Sequence, residues 1–147
     1  MFKRLADLFS PVEQEQQQDS LELAACALLL ELSMADNTVT EAEIAVSQQA
    51  MEALFGLSHE AIEDITVIAK QRRSDSADLY SFTKLITEHY SAEQRRQFIY
   101  KMWLVAYADG ELDKYEDSLI RKVSELIYVP HSAFIQTKLE AEQSYRQ

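Results

Sequence analysis

Residues 35–43 read Ala35-Asp36-Asn37-Thr38-Val39-Thr40-Glu41-Ala42-Glu43, and 73 residues further on the chain reads Ala108-Asp109-Gly110-Glu111-Leu112-Asp113-Lys114-Tyr115-Glu116. Identity is confined to Ala, Asp and Glu, but the residue types match role by role. Asn37 and Gly110 tolerate the left-handed backbone that ends a helix, Val39 and Leu112 are apolar, and Thr40 and Asp113 are good N-caps. Thr40 with Glu43, and Asp113 with Glu116, have capping-box spacing, the second in an acidic variant. The pattern predicts a helix, a tight acidic corner and a second helix, used twice. One detail differs: Val39 can staple onto Ile44, whereas Leu112 faces Asp117.

Outward from the corners the apolar positions also coincide. Cys26, Leu29, Leu30, Leu32 and Met34 fall on Ile99, Met102, Trp103, Val105 and Tyr107 at the same spacing. Beyond the corners, Val46, Ala50, Ala53, Leu54 and Phe55 fall on Leu119, Val123, Leu126, Ile127 and Tyr128. Breakers are scarce, with two glycines and two prolines, and apolar residues recur at helical spacing. The expected fold is all-α, a single domain of about seven helices built from two pseudo-symmetric halves. Helices are predicted near 19–36, 40–55, 58–73, 77–89, 91–109, 113–128 and 131–145. Ser58 and Ser91 mark starts, and Lys70, Arg72 and Arg73 sit where cations meet the negative end of a helix dipole. Residues 1–18 are read as a separate amphipathic segment and polar linker, with Gln14 to Gln18 as the linker, and 19–147 as the helical domain.

Composition excludes several function classes. Gly56 and Gly110 are the only glycines, so a phosphate-binding loop, a dinucleotide fingerprint and a nucleophile elbow have no material. With 14 Lys plus Arg against 25 Asp plus Glu, a net charge of −11 opposes a nucleic-acid footprint. At 147 residues and 47% hydrophobic, the chain can bury about two-thirds of its surface as one domain. Cys26 alone makes no intrachain disulfide and sits in an apolar run, where it reads as core. No stretch suffices for a membrane span or a signal peptide, which predicts a soluble cytosolic protein.

The corners carry the candidate chemistry. Caps account for most of their residues at about 1 kcal/mol each. Asp36 and Asp109 are different: each is predicted in the last turn of a helix, where a carboxylate costs about 0.3–1 kcal/mol. Amides of the next helix, a basic side chain or a divalent cation can offset them. The candidate cation ligands are Asp36, Glu43, Asp109, Asp113 and Glu116, with Glu111 nearby, and the hard ions Ca²⁺ or Mg²⁺ suit carboxylates. An EF-hand is excluded, because its loop needs twelve residues with glycine sixth, and here glycine is second among the acids. Zinc is disfavoured, since His59, His89 and His131 are scattered.

Tyr107 to Glu116, followed by Leu119-Ile-Arg-Lys-Val123 and Val129-Pro-His-Ser-Ala-Phe134, resembles the tellurite-resistance TerB family, in particular a small bacterial branch of it. The first corner repeats the same Ala-Asp-x-x-apolar-x-x-x-Glu pattern, and the resemblance covers residues 20 to about 140. It implies a helical fold of two halves, no catalytic activity, a role in stress or tellurite-type response, cation binding through the acidic corners, and action with partner proteins at the inner membrane surface. Carried over by position, Asp36, Glu43, Asp109 and Glu116 match the pattern, with Asp113 in the second corner only. Thr40 and Asn37 make the first corner poorer in ligands. A related helical domain begins DnaJ-like membrane co-chaperones, but no His-Pro-Asp occurs here, so chaperone stimulation by that route is not expected.

Other features have simpler readings. Phe2 to Phe9 is amphipathic and fits packing on the body, a second protomer in a homodimer, an anionic membrane surface through Lys3 and Arg4, or a disordered segment. Arg72-Arg73, Arg95-Arg96 and Arg121-Lys122 are expected to be solvated or to partner surplus carboxylates. Trp103, Tyr100, Tyr107 and Tyr128 read as core. Asp109 and Glu116 as a hydrolytic carboxylate pair lack any accompanying nucleophile and base, and the expectation is no enzyme. The reading is therefore a cytosolic binding domain with a protein partner and a divalent cation at the corners. The alternative is a structural protein–protein adaptor without metal, held at a membrane through residues 2–9.

Overall fold

A computed structural model of the chain describes residues 14–35, 39–108, 112 and 114–146, with side chains throughout except at 14–19, 35 and 146. Seven helices follow among the described residues: α1 (Gln14–Ala35), α2 (Glu41–Phe55), α3 (His59–Gln71), α4 (Ser76–His89), α5 (Ala92–Tyr107), α6 (Lys114–Leu126) and α7 (His131–Arg146). The all-α expectation holds. Residues Gln14 to Gln18, expected as a linker, are instead the opening of α1. They contain no breaker, and Gln and Glu are good helix formers, so the helix continues outward through them once the apolar part is packed. The amphipathic segment Phe2 to Phe9 lies outside the described residues.

Helix ends follow the sequence signals. Ser58 accepts the Ala61 N–H at 3.1 Å, and Ser91 and Gln94 form a complete capping box at 3.2 and 2.8 Å. At the other end of α3, Arg73 Nη1 donates to the carbonyls of Ala69 at 3.0 Å and Arg72 at 2.7 Å, which satisfies acceptors that the helix leaves open.

The chain divides between Phe82 and Thr83, inside α4. In the first unit α1 packs chiefly on α3, and α2 lies against both; in the second α5 packs chiefly on α7, and α6 lies against both. Every residue from Leu21 to Glu31 is buried, which suits a stretch that is apolar on all faces. Met51, Phe55, Ile62, Ile65 and Ala69 complete the first core. The second gathers Ile99, Met102, Trp103, Ile120, Val123 and Phe134. Cys26 is fully buried, as expected. No helix among the described residues is long and apolar enough to cross a membrane.

The duplication is wider than the corners, because α3 and α7 belong to it, and its register changes. Gly56 and Tyr128 both hold a left-handed backbone, with φ of 66° and 62°, and α3 and α7 begin at His59 and His131. Those pairs lie 72 residues apart, not 73. At the same spacing Met51 matches Val123, Phe55 matches Ile127, Ile62 matches Phe134, Ile65 matches Thr137 and Ala69 matches Ala141, all buried. Phe55 therefore does not correspond to Tyr128, and Tyr128 is not core but 74% exposed. Ala53-Leu54-Phe55 and Leu126-Ile127-Tyr128 are both apolar runs, so the sequence fits either register and only the turn decides. Trp103 and Tyr107 are buried as expected, and Tyr100 is half-buried.

Candidate functional site

Of the five candidate ligands, Glu43 and Glu116 are described, and Asp36, Asp109 and Asp113 lie outside the described residues. Glu43 is exposed on the first turn of α2. Thr40 accepts the Glu43 N–H at 3.1 Å and its hydroxyl donates to the Glu43 carboxylate at the same distance. Local helix capping thus accounts for Glu43 without any ligand. Glu116, in the first turn of α6, is buried, with only 9% exposure. By the 72-residue register it stands where the first unit has Ile44, an apolar and half-buried position. A carboxylate has replaced an inward-facing hydrophobe directly after the second corner.

The residues around Glu116 form a second layer of charge. Asp117 meets Lys138 Nζ at 2.6 Å and lies 3.8 Å from Arg121. Lys138 Nζ stands 5.2 Å from the Trp103 ring centre, and the Arg121 guanidinium is 5.0 Å from that of Phe134. Trp103 and Phe134 pack at 5.3 Å. These contacts neutralise Asp117 and tie α6 to α7, so Asp117 serves the fold. The indole N–H of Trp103 is fully buried with no hydrogen-bond partner among the described residues. Among those residues no three His, Cys, Asp or Glu side chains come together as a metal site.

Two polar clusters escaped sequence reading. Glu31, buried on α1, accepts the Ser74 hydroxyl at 2.7 Å and lies 3.8 Å from Arg72 Nε; Arg72 also pairs with Asp78 at 2.9 Å. Burial raises the Glu31 pKa above the usual carboxylate value, and the Ser74 hydrogen bond and the Arg72 charge only partly counter it. The partners are some forty residues apart in sequence, so no local pattern announces them. Burial, with a smaller contribution from Glu22, pushes the Cys26 thiol well up, which leaves it an inert core residue. On the surface, His59 bridges Glu52 at 3.2 Å and Glu63 at 3.7 Å, and the Glu52 hydrogen bond and charge raise its pKa. His131, at the matching position, stacks on Phe134 instead.

The basic pairs are occupied as expected. Arg95 donates Nε to the Tyr90 carbonyl at 3.1 Å and Nη2 to that of Thr87 at 2.8 Å, and Arg96 reaches Glu140 at 3.4 Å. Both arginines line a cleft of about 220 Å³ between the start of α5 and the α6–α7 turn, where Tyr128 also stands. In that turn Val129 N–H bonds the Ser124 carbonyl at 3.0 Å and Tyr128 N–H that of Glu125 at 3.2 Å. This is a Schellman closure, with tyrosine at the left-handed position that usually takes glycine.

The family model described as Tellurite resistance protein TerB matches residues 22–139, most of the chain. No curated protein and no solved structure matches.

Proposed function

The chain belongs to the tellurite resistance TerB family, and from that premise we propose that it works by binding rather than catalysis, with a hard divalent cation at the second acidic corner. Asp109, Asp113 and Glu116 would hold Ca²⁺ or Mg²⁺, ions that take oxygen ligands and tolerate a coordination shell completed by water. The observation that carries this reading is the burial of Glu116 where the other half has Ile44. Together with Asp109 and Asp113, Glu116 makes three carboxylates within eight residues, the oxygen donors that hard cations prefer. The first corner, with Asp36 and the capping residue Glu43, is the weaker of the two. Cation loading would set the shape of a surface offered to a protein partner in a stress or tellurite-type response on the cytosolic side. Calorimetric titration of chelator-stripped protein tests it: heat and a higher melting temperature with Ca²⁺ or Mg²⁺ support the site, and their absence removes it.

A second reading is an adaptor without metal. Ile135, Leu139 and Tyr145, exposed by 38%, 51% and 44% on α7, favour it as an apolar contact surface. The two separate on Asp109→Asn, which abolishes cation-induced stabilisation under the first and changes nothing under the second.

A further inference from the structure

The outward faces of α2 and α6 occupy matching places in the two halves and differ in chemistry. In the 72-residue register the exposed positions Ala42, Val46, Gln49 and Ala53 match Lys114, Ser118, Arg121 and Glu125, which are exposed too. Beside them, Ala45 and Ala50 match Asp117 and Lys122. α6 thus turns to water the charged face that a surface helix ordinarily carries, and α2 turns a mainly apolar one. α2 is apolar around most of its circumference, yet Met51 and Phe55 are its only buried residues. Val46 stays 37% exposed, and Leu54 and the adjoining Leu57 are half-buried.

Charge, spacing and reach select what covers this face. α2 carries Glu41, Glu43 and Glu52 and no Lys or Arg. Phe2 to Phe9 has the opposite balance, with Lys3 and Arg4 against Asp7, and its apolar residues Phe2, Leu5, Ala6 and Phe9 recur at helical spacing. Large rings and leucine fit closely over a face of alanine and valine, whose short side chains leave room for them. Four residues separate Phe9 from Gln14 at the start of α1, enough to span about 13 Å. α1 packs on α2 within the first unit. A tether of this length keeps the segment at an effective concentration of about millimolar, so a small contact suffices.

We propose that Phe2 to Phe9 docks on the outward face of α2 of its own chain, with its phenylalanines and Leu5 over Val46, Ala50 and Ala53 and with Lys3 and Arg4 toward the bordering glutamates. The matching face of α6 repels the same segment through Lys114, Arg121 and Lys122. The contact is independent of the cation at the second corner.

Paramagnetic relaxation in the full-length protein tests this, with a nitroxide attached at Asp7→Cys on the polar side of the segment. Cys26 is buried away from the reagent. The expected result is loss of the amide signals of Ala42, Val46, Gln49 and Ala53 relative to the reduced label. Val46→Ser combined with Ala53→Glu, the residue types that α6 carries at these positions, should restore the signals. Phe9→Ser should do the same without altering α2, and thermal unfolding of each variant checks that the helices persist. Signal loss centred elsewhere, or loss that survives both sets of changes, would overturn the proposal. So would loss seen only when ¹⁵N-labelled protein is mixed with separately spin-labelled protein, which assigns the face to a second copy, or no loss at all, which leaves it to a partner protein.

Discussion

The α2–α3 and α6–α7 pairs have one design and opposite chemistry. In the first, Gly56 takes the left-handed turn, Ser58 caps α3, His59 bridges two glutamates, and Glu43 serves as an exposed cap residue. Each choice has a local reason. In the second, Tyr128 takes the turn, Pro130 stands where Ser58 does, His131 stacks on Phe134, and Glu116 is buried. Tyr128 runs against local stability. The lesson is that the first pair takes the turn with the residue that suits it, and the second keeps a strained turn that the fold alone does not require.

The largest expected effect breaks the shared core. Phe134→Ala should destabilise by about 3–5 kcal/mol in urea unfolding, because it removes the contact of Trp103 as well as its own burial. Ile62→Ala, at the matching position, should cost about 2–5 kcal/mol, and a value above that of Phe134→Ala would break the correspondence.

Next come the turns. Gly56→Ala should cost about 1 kcal/mol, all of it backbone strain, since nothing lies within 4 Å of an added Cβ. Tyr128→Gly should gain about 1 kcal/mol. Opposite signs in thermal unfolding confirm one turn with two residues, and equal signs contradict it.

A pH profile sharpens the first unit. The Glu31 pKa is higher folded than unfolded, so the folded state holds the proton more tightly and stability falls as pH rises from the unfolded to the folded value. Glu31→Gln should therefore stabilise at neutral pH, with the gain shrinking as pH falls through that window. A loss of stability at neutral pH would show that the Ser74 and Arg72 contacts outweigh burial.

The smallest effect concerns His59. Its raised pKa makes it stabilising below the unfolded value, and that contribution disappears as pH rises through the folded one. In an NMR titration Glu52→Gln should lower the His59 pKa, and an unchanged value would assign the shift to Glu63.

Much of the fold was legible because helices announce themselves by period and cap. Ser58 and Ser91 sit at helix starts where expected, and the corners gave the duplication. The register shift was not, since apolar runs at the ends of α2 and α6 fit two alignments and only a backbone angle distinguishes them. For the same reason Tyr128 read as core. Glu31 with Ser74 and Arg72 was hidden by sequence distance, and the difference between Glu43 and Glu116 by their identical letter: the helix face, not the residue type, decides which is buried. Glu43 and Glu116 show what became of two of the five candidate ligands, and Asp36, Asp109 and Asp113 lie outside the described residues.

The central claim is that the second half holds the functional site. Calorimetric titration of chelator-stripped wild type, Asp36→Asn and Asp109→Asn with Ca²⁺ and Mg²⁺ tests it most directly. The account predicts cation binding in the wild type, retained in Asp36→Asn and lost in Asp109→Asn. Silence in the wild type, or equal loss in both variants, would contradict it.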